Sequence, residues 1–169
     1  VMVLILVVIG TSVFTNAQNS QKNIALRAAV YADTGDFYLE NGVGPSSIHD
    51  NKTDTFFSTT ETTAQNTTET VTMVLDGTYQ VSSISLVPRG VTRNGLPVDF
   101  TLSVYNGSEW VEIDRKKDNA KTAETYTLNN LDVTCTAVRL SATKLSLVLG
   151  SSKYALQLAE FKIFGLKAD

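Results

Sequence analysis

The side chains able to do chemistry are few. The chain carries one Cys, Cys135, and one His, His49, which removes any intrachain disulfide, any multi-Cys zinc cage and every site that needs two imidazoles. In Val133-Thr134-Cys135-Thr136-Ala137 the thiol alternates with Leu131, Val133 and Ala137, so a period of two places it on the apolar face of a strand, buried and unreactive. His49 sits far away in a polar loop, where it reads as a hydrogen-bonding group, and nothing beside Cys135 would lower a thiol pKa. General acid–base work needs two tuned groups in one cleft. Glu61 and Glu69 lie in a run of Thr and Asn with nothing to shift their pKa, so no enzyme is expected.

The charge balance excludes another class. With 14 Lys and Arg against 17 Asp and Glu, the net charge is −3, and there is no basic footprint for DNA or RNA. A chain of 169 residues that is 43% hydrophobic is long enough to bury a core as one domain without a metal or disulfide staple.

The elements that must position these groups are strands. No stretch of helical period occurs, whereas period-two runs do: Val71, Met73 and Leu75; Val81 through Val87; Phe100, Leu102 and Val104; Trp110 through Ile113; and Ala137 through Ala142. Asp76-Gly77 separates the first two runs as a turn, Asn94-Gly95-Leu96-Pro97 precedes the third, and Asn106-Gly107 links the third to the fourth. Short strands at this spacing predict an all-β sandwich or barrel. Trp110 and Tyr105, placed at a hairpin, read as packing residues. The polar stretch from Ser58 to Thr70 reads as an exposed loop. Asn51, Asn66 and Asn106 each open an acceptor triplet for N-glycosylation, a pattern that Thr-rich chains produce often.

Residues 1–9 are an unbroken apolar run, followed by small residues up to Ala17. This is the pattern of a secretory signal (1–17) with its leading charged segment missing, followed by a short linker at 18–22. A buried strand is the alternative. A membrane span would need about 20 apolar residues, and Asn16, Gln18, Asn19 and Ser20 end the run sooner. The mature chain is therefore expected outside the cytoplasm, secreted or at the cell surface.

Three segments carry a resemblance. Asn23-Ile24-Ala25-Leu26, the loop Ile48-His49-Asp50-Asn51-Lys52-Thr53-Asp54-Thr55-Phe56-Phe57-Ser58, and the closing Leu158-Ala159-Glu160-Phe161-Lys162-Ile163-Phe164-Gly165 resemble the coagulation factor V/VIII C-type, or discoidin, domain. Leu86-Val87-Pro88-Arg89, Asn94-Gly95 and Val104 to Trp110 follow in the family's order. The resemblance spans residues 23–165, with a tail at 166–169, and is most similar to the family 32 carbohydrate-binding modules. It implies a galactose-binding-like jelly-roll β-sandwich of about eight strands, with its termini close together and its ligand loops at one end.

The resemblance also implies sites. In the family the first loop and the Glu of the closing strand wrap a structural Ca²⁺, a cation that takes six to eight oxygens. Carried over, Asp50, Thr55 and Glu160 are side-chain ligands, with main-chain oxygens from around Lys52 and from Ala159. Asn51 stands at the family's Gly position, Lys52 at its Asn and Phe57 at its Trp; Asn tolerates a left-handed backbone, Lys52 need supply only a carbonyl, and Phe keeps the apolar plug. Sugar-binding members use a His after that Trp, an Arg, an Asn and a late aromatic, which fall here on Ser58, Arg89, Asn94 and Tyr154. The aromatic stacks on a sugar ring while Arg and Asn bond its hydroxyls.

The reading that follows is a non-catalytic extracellular glycan-binding module, with a glycan or glycoprotein as partner. The alternative is a structural or adhesive protein of the cell exterior that packs against itself or other proteins, its sugar site vestigial; the missing His favours it. Phospholipid binding would require an exposed apolar spike, for which Leu145, Leu147, Val148 and Leu149 are the candidates.

Overall fold

A computed structural model of the chain describes residues 21–34, 44–90 and 94–168. The candidate signal segment and nearly all of the linker lie outside the described residues. What is described is all strand and short 3-10 turns: β1 (Lys22–Asn23), β2 (Ala29–Ala32), β3 (Phe57–Ser58), β4 (Glu69–Pro88), β5 (Asp99–Tyr105), β6 (Trp110–Lys116), β7 (Tyr126–Leu128), β8 (Val133–Lys144), β9 (Ser146–Leu147), β10 (Tyr154–Ala155) and β11 (Gln157–Lys167). All pairings are antiparallel. The result is a galactose-binding-like antiparallel β-sandwich.

The alternation read from the sequence builds the two layers. In the first half of β4, Val71, Met73 and Leu75 face inward, and this half pairs with β2 and β8; β5 and β6 extend the layer beyond β8. The second half carries Val81, Ile84 and Leu86 inward and pairs with β11 on one side and, on the other, first with the start of β8 and then with β7. Phe57, Phe100, Phe161, Met73 and Leu140 are fully buried between the layers. Burying such side chains is the main stabilising term of the fold.

One expectation needs correction. Asp76-Gly77 does not close a hairpin; β4 runs on through it, with a register irregularity against β8 between Val74 and Tyr79. The Tyr79 hydroxyl donates to Asp76 at 2.6 Å across this irregularity. A turn signal there yields to tertiary pairing, because β8 pairs with β4 on both sides of the irregularity while β2 and β11 each take one half.

The chain ends of the sandwich meet, as the resemblance implies. β1 pairs with the end of β11, Lys22 opposite Gly165 and Asn23 opposite Phe164, and the Asn23 side chain accepts from the amides of Ala25 and Ile163, each at 3.2 Å. Cys135 is buried in β8, and burial pushes its thiol up to about 11. Tyr105 and Trp110 pack ring against ring at 5.5 Å, with the Arg139 guanidinium 3.7 Å over the Trp110 ring.

The polar stretch after Ser58 is more ordered than a solvated loop. Ser58 and Thr59 are buried; Thr59 exchanges hydrogen bonds with Leu156, and Thr62 pairs with Tyr154 as an isolated bridge. Gln65 and Leu145 likewise bond each other through main and side chain. Glu69 opens β4 rather than lying in a loop. Burial raises its pKa, against a hydrogen bond donated by Thr34 and with help from the Asp33 charge. Composition alone misread these residues because backbone pairing with β10 and β11 satisfies their polar groups.

Candidate functional site

The loop before β3 is built around one acidic side chain. A 3-10 turn, Pro45–His49, delivers Asp50, and His49 ends it with Nδ1 buried and without a partner among the described residues. Asn51 then takes a left-handed backbone at φ 61°, a region that Asn enters more readily than most residues. That reversal lets the Lys52 amide donate to Asp50 at 2.9 Å and the Thr55 hydroxyl donate to the other Asp50 oxygen at 2.8 Å, with the Lys52 carbonyl 3.5 Å from Thr55 Oγ1. Phe57, buried in the core, anchors the loop's end.

Glu160 lies on β11 beneath this loop. Phe161, its neighbour, points into the core, so Glu160 and its register partner Val87 point outward, yet Glu160 is 0% exposed. Among the described residues neither carboxylate oxygen has a hydrogen-bond partner. Its pKa is pushed up to about 7: burial is the main cause, Lys162 and the Lys52 amide oppose it, and the Asp50 carboxylate raises it further. The Lys52 amide is already bonded to Asp50. Lys162 in turn reaches Asn51 Oδ1 at 3.4 Å.

Two facing carboxylates, one of them buried without a donor, form a place where a proton or a cation relieves the repulsion. Asp50, Glu160, Thr55 Oγ1 and the Lys52 carbonyl are all oxygen donors, the set a hard divalent cation takes. The set therefore fits Ca²⁺. Only two carboxylates contribute, and among the described residues there is no cluster of three or more His, Cys, Asp or Glu.

The second set of residues gathers at the end of the sandwich where β4, β9, β10 and β11 meet. Arg89 follows β4; its amide donates to Gln157 at 3.1 Å and its guanidinium lies 3.7 Å over the Phe56 ring. Asn94 donates to the Leu147 carbonyl at 3.3 Å and accepts from the Thr122 hydroxyl at 2.9 Å. Tyr154, opposite Leu147 in the β9–β10 ribbon, is half-buried against the core. The fold thus brings Arg89, Asn94 and Tyr154 to one end from three separate stretches of chain.

Ser58 does not join that rim. It is buried, its hydroxyl donating to the Thr59 carbonyl and accepting from Gln157 Nε2 at 3.0 Å. Its place in the structure is to hold Gln157. That residue went unnoticed in the sequence although it ties the rim together: its carbonyl takes the Arg89 amide, its own amide donates to the Gly95 carbonyl at 2.9 Å, and its side chain bonds Ser58. The usable signal was a lone amide inside the apolar run Ala155-Leu156-Gln157-Leu158-Ala159, since a buried polar side chain must have partners. Phe56 was missed too, being the outward neighbour of the plug Phe57.

Of the apolar spike candidates, Leu145 and Val148 are buried, while Leu147 and Leu149 stand 43% and 58% exposed at the tip beside Gly150. No helix among the described residues is long and apolar enough to cross a membrane.

The sandwich, with its two ends paired through β1 and β11, is of the discoidin type. The F5/8 type C domain profile matches residues 17–160, and the chain belongs to that family. Among solved structures, the chain is similar to a CBM32 module of Clostridium perfringens (CpGH89CBM32-5) in complex with GalNAc-β-1,3-galactose. The identity is 19% with a TM-score of 0.68, over 85% of this chain and 99% of that one. It is similar to the family 32 module of C. perfringens NanJ in complex with galactose, at 16% identity and a TM-score of 0.66, over 84% and 96%. A fucose-binding module of Streptococcus pneumoniae follows at 16% identity and a TM-score of 0.62, over 86% and 96%. No curated protein matches the sequence.

Proposed function

We propose that this chain is a non-catalytic, extracellular glycan-recognition module with a structural Ca²⁺ held by Asp50, Thr55, Glu160 and main-chain oxygens near Lys52. The observation that carries the glycan reading is the convergence of Arg89, Asn94 and Tyr154 at one end of the sandwich, each from a different stretch of chain. An aromatic flank with planar donors and acceptors beside it suits a sugar ring, whose faces are apolar and whose edge carries hydroxyls. The similar modules solved with galactose-containing ligands, and the one named a fucose-binding module, support the same ligand class. Ca²⁺ would supply charge neutralisation for Asp50 and Glu160; the loop residues set the geometry.

The test is a glycan-array screen of the chain with Arg89→Ala and Asn94→Ala beside it, run with and without Ca²⁺. Specific binding lost in both variants is the expected result; a blank array from folded protein removes the reading. A second reading, adhesion through protein contacts, is favoured by one observation. The outer face of the β2–β4–β8–β5–β6 layer carries an apolar row, Ala29, Val74, Ala137, Tyr105 and Trp110, in which Ala137 is buried and Trp110 is covered by Arg139, with Tyr31 63% exposed one row away. Concentration-dependent self-association in sedimentation, abolished by Val74→Lys, would move the assignment to that reading.

A further inference from the structure

A cavity of about 460 Å³ opens on the outer surface of the β7–β4–β11 layer, and neither Asn94 nor Tyr154 lines it. Its apolar wall is Val87, Pro88 and Ala123; its polar wall is Thr53, Glu124 and Thr125. Leu86 points into the core, so Val87 points out. Gly90 borders the mouth at φ 73°, with no atom within 4 Å of where a side chain would begin. Thr53 belongs to the cation loop and Val87 is the register partner of Glu160, so the cavity shares a wall with the cradle.

The lining selects a ligand class. The volume falls within the range of about 300–1,000 Å³ typical of small-ligand clefts. Among the described residues no Lys, Arg or His lines it, and Glu124 does, ion-paired to Lys121 at 2.9 Å. A phosphate, sulfate or carboxylate ligand would meet a carboxylate with no cation inside to offset it. A wholly apolar ligand would use the Val87, Pro88 and Ala123 wall but strip water from two hydroxyls and a carboxylate and leave them unbonded. A neutral polyhydroxylated ring satisfies both walls at once.

We propose that this cavity is a second glycan subsite that takes one neutral hexose unit, its apolar face on Val87 and Pro88 and its hydroxyls bonded by Thr53, Glu124 and Thr125. The proposal rests on the glycan reading above and adds a site that the rim residues do not form. Two sites on one sandwich raise avidity for multivalent glycans without new contacts at either.

The experiment is an amide-resolved NMR titration of the full chain with galactose, N-acetylgalactosamine and fucose, on wild type, Asn94→Ala, Ala123→Trp and Thr125→Val. Ala123→Trp fills the cavity, and Thr125→Val removes one hydroxyl at constant shape, keeping the test intact should the larger variant misfold. The expected result is a set of shifts at Thr53, Val87 and Thr125 that survives in Asn94→Ala, vanishes in Ala123→Trp and weakens about fivefold in Thr125→Val, the worth of one hydrogen bond. Shifts confined to Asn94, Leu147 and Tyr154 and untouched by Ala123→Trp overturn the cavity site while leaving the glycan reading standing. No shift with any of the three sugars overturns both.

Discussion

The proposed cation cradle draws Asp50, Lys52 and Thr55 from six consecutive residues and only Glu160 from elsewhere, whereas the proposed ligand rim draws Arg89, Asn94 and Tyr154 from three stretches spread over more than sixty positions. The cradle is tied internally, with the Lys52 amide and the Thr55 hydroxyl both on Asp50. The rim is tied from beneath, by Gln157 under Arg89 and Gly95 and by Thr122 and Leu147 on Asn94. A local loop can keep its geometry if one distant partner is changed. A rim assembled from separate strands depends on every support, so damage there spreads.

The largest expected effect tests what both regions share. Phe57→Ala empties a fully buried position at the end of the cradle loop and the start of β3, and should cost about 3–5 kcal/mol, read as a large fall in Tm with loss of both Ca²⁺ response and glycan binding. If only one of the two responses is lost, the cradle and rim do not share this anchor. Next comes Gly95→Ala. A Cβ there would overlap the Gln157 carbonyl and stand 2.8 Å from the Arg89 amide; moving that backbone should cost about 3 kcal/mol and abolish rim binding, with the Ca²⁺ response retained.

The cradle is tested by ligand linkage. Ca²⁺ at about a hundred times its Kd should stabilise the chain by about 2.7 kcal/mol, seen as a rise in Tm on adding Ca²⁺ and its reversal with chelator. Glu160→Gln should abolish that rise; a persistent rise would move the cation elsewhere. Smaller still is Asn94→Ala. It removes two hydrogen bonds at a half-buried position, for a stability change of about 1 kcal/mol, but weakens glycan binding about tenfold or more, about 1.4 kcal/mol.

The smallest effect is a control outside both regions. Glu69 is buried like Glu160, but Thr34 donates to it. Its pKa in the folded state is raised from 4.5, so the fold binds its proton more tightly than the unfolded chain does, and stability is lost as pH climbs past about 4.5. Glu69→Gln should therefore be slightly more stable than wild type at pH 7, with the difference fading below pH 4.5 in thermal melts. Its Ca²⁺ response should match wild type, isolating that response to the cradle.

Sequence by itself determined the strands and the Asp50 loop. The inward alternation of Val71, Met73 and Leu75, of Phe100, Leu102 and Val104, and of the β8 run is a period of two written directly in the residues, and it fixes which face is buried. Asp50, Asn51 and Thr55 are near neighbours whose mutual bonds follow from local backbone geometry. Tertiary structure alone decided the rest. The Asp76-Gly77 signal became a bend inside one strand because β8 pairs with β4 on both sides of it. Ser58 went under the surface because Gln157, 99 positions away, needed its hydroxyl. The cavity of Val87, Pro88 and Ala123 exists only where β4 meets the turn before β7. Contacts between residues adjacent in the chain are set by dihedral preferences, whereas contacts across tens of residues are set by the packing of the whole sandwich.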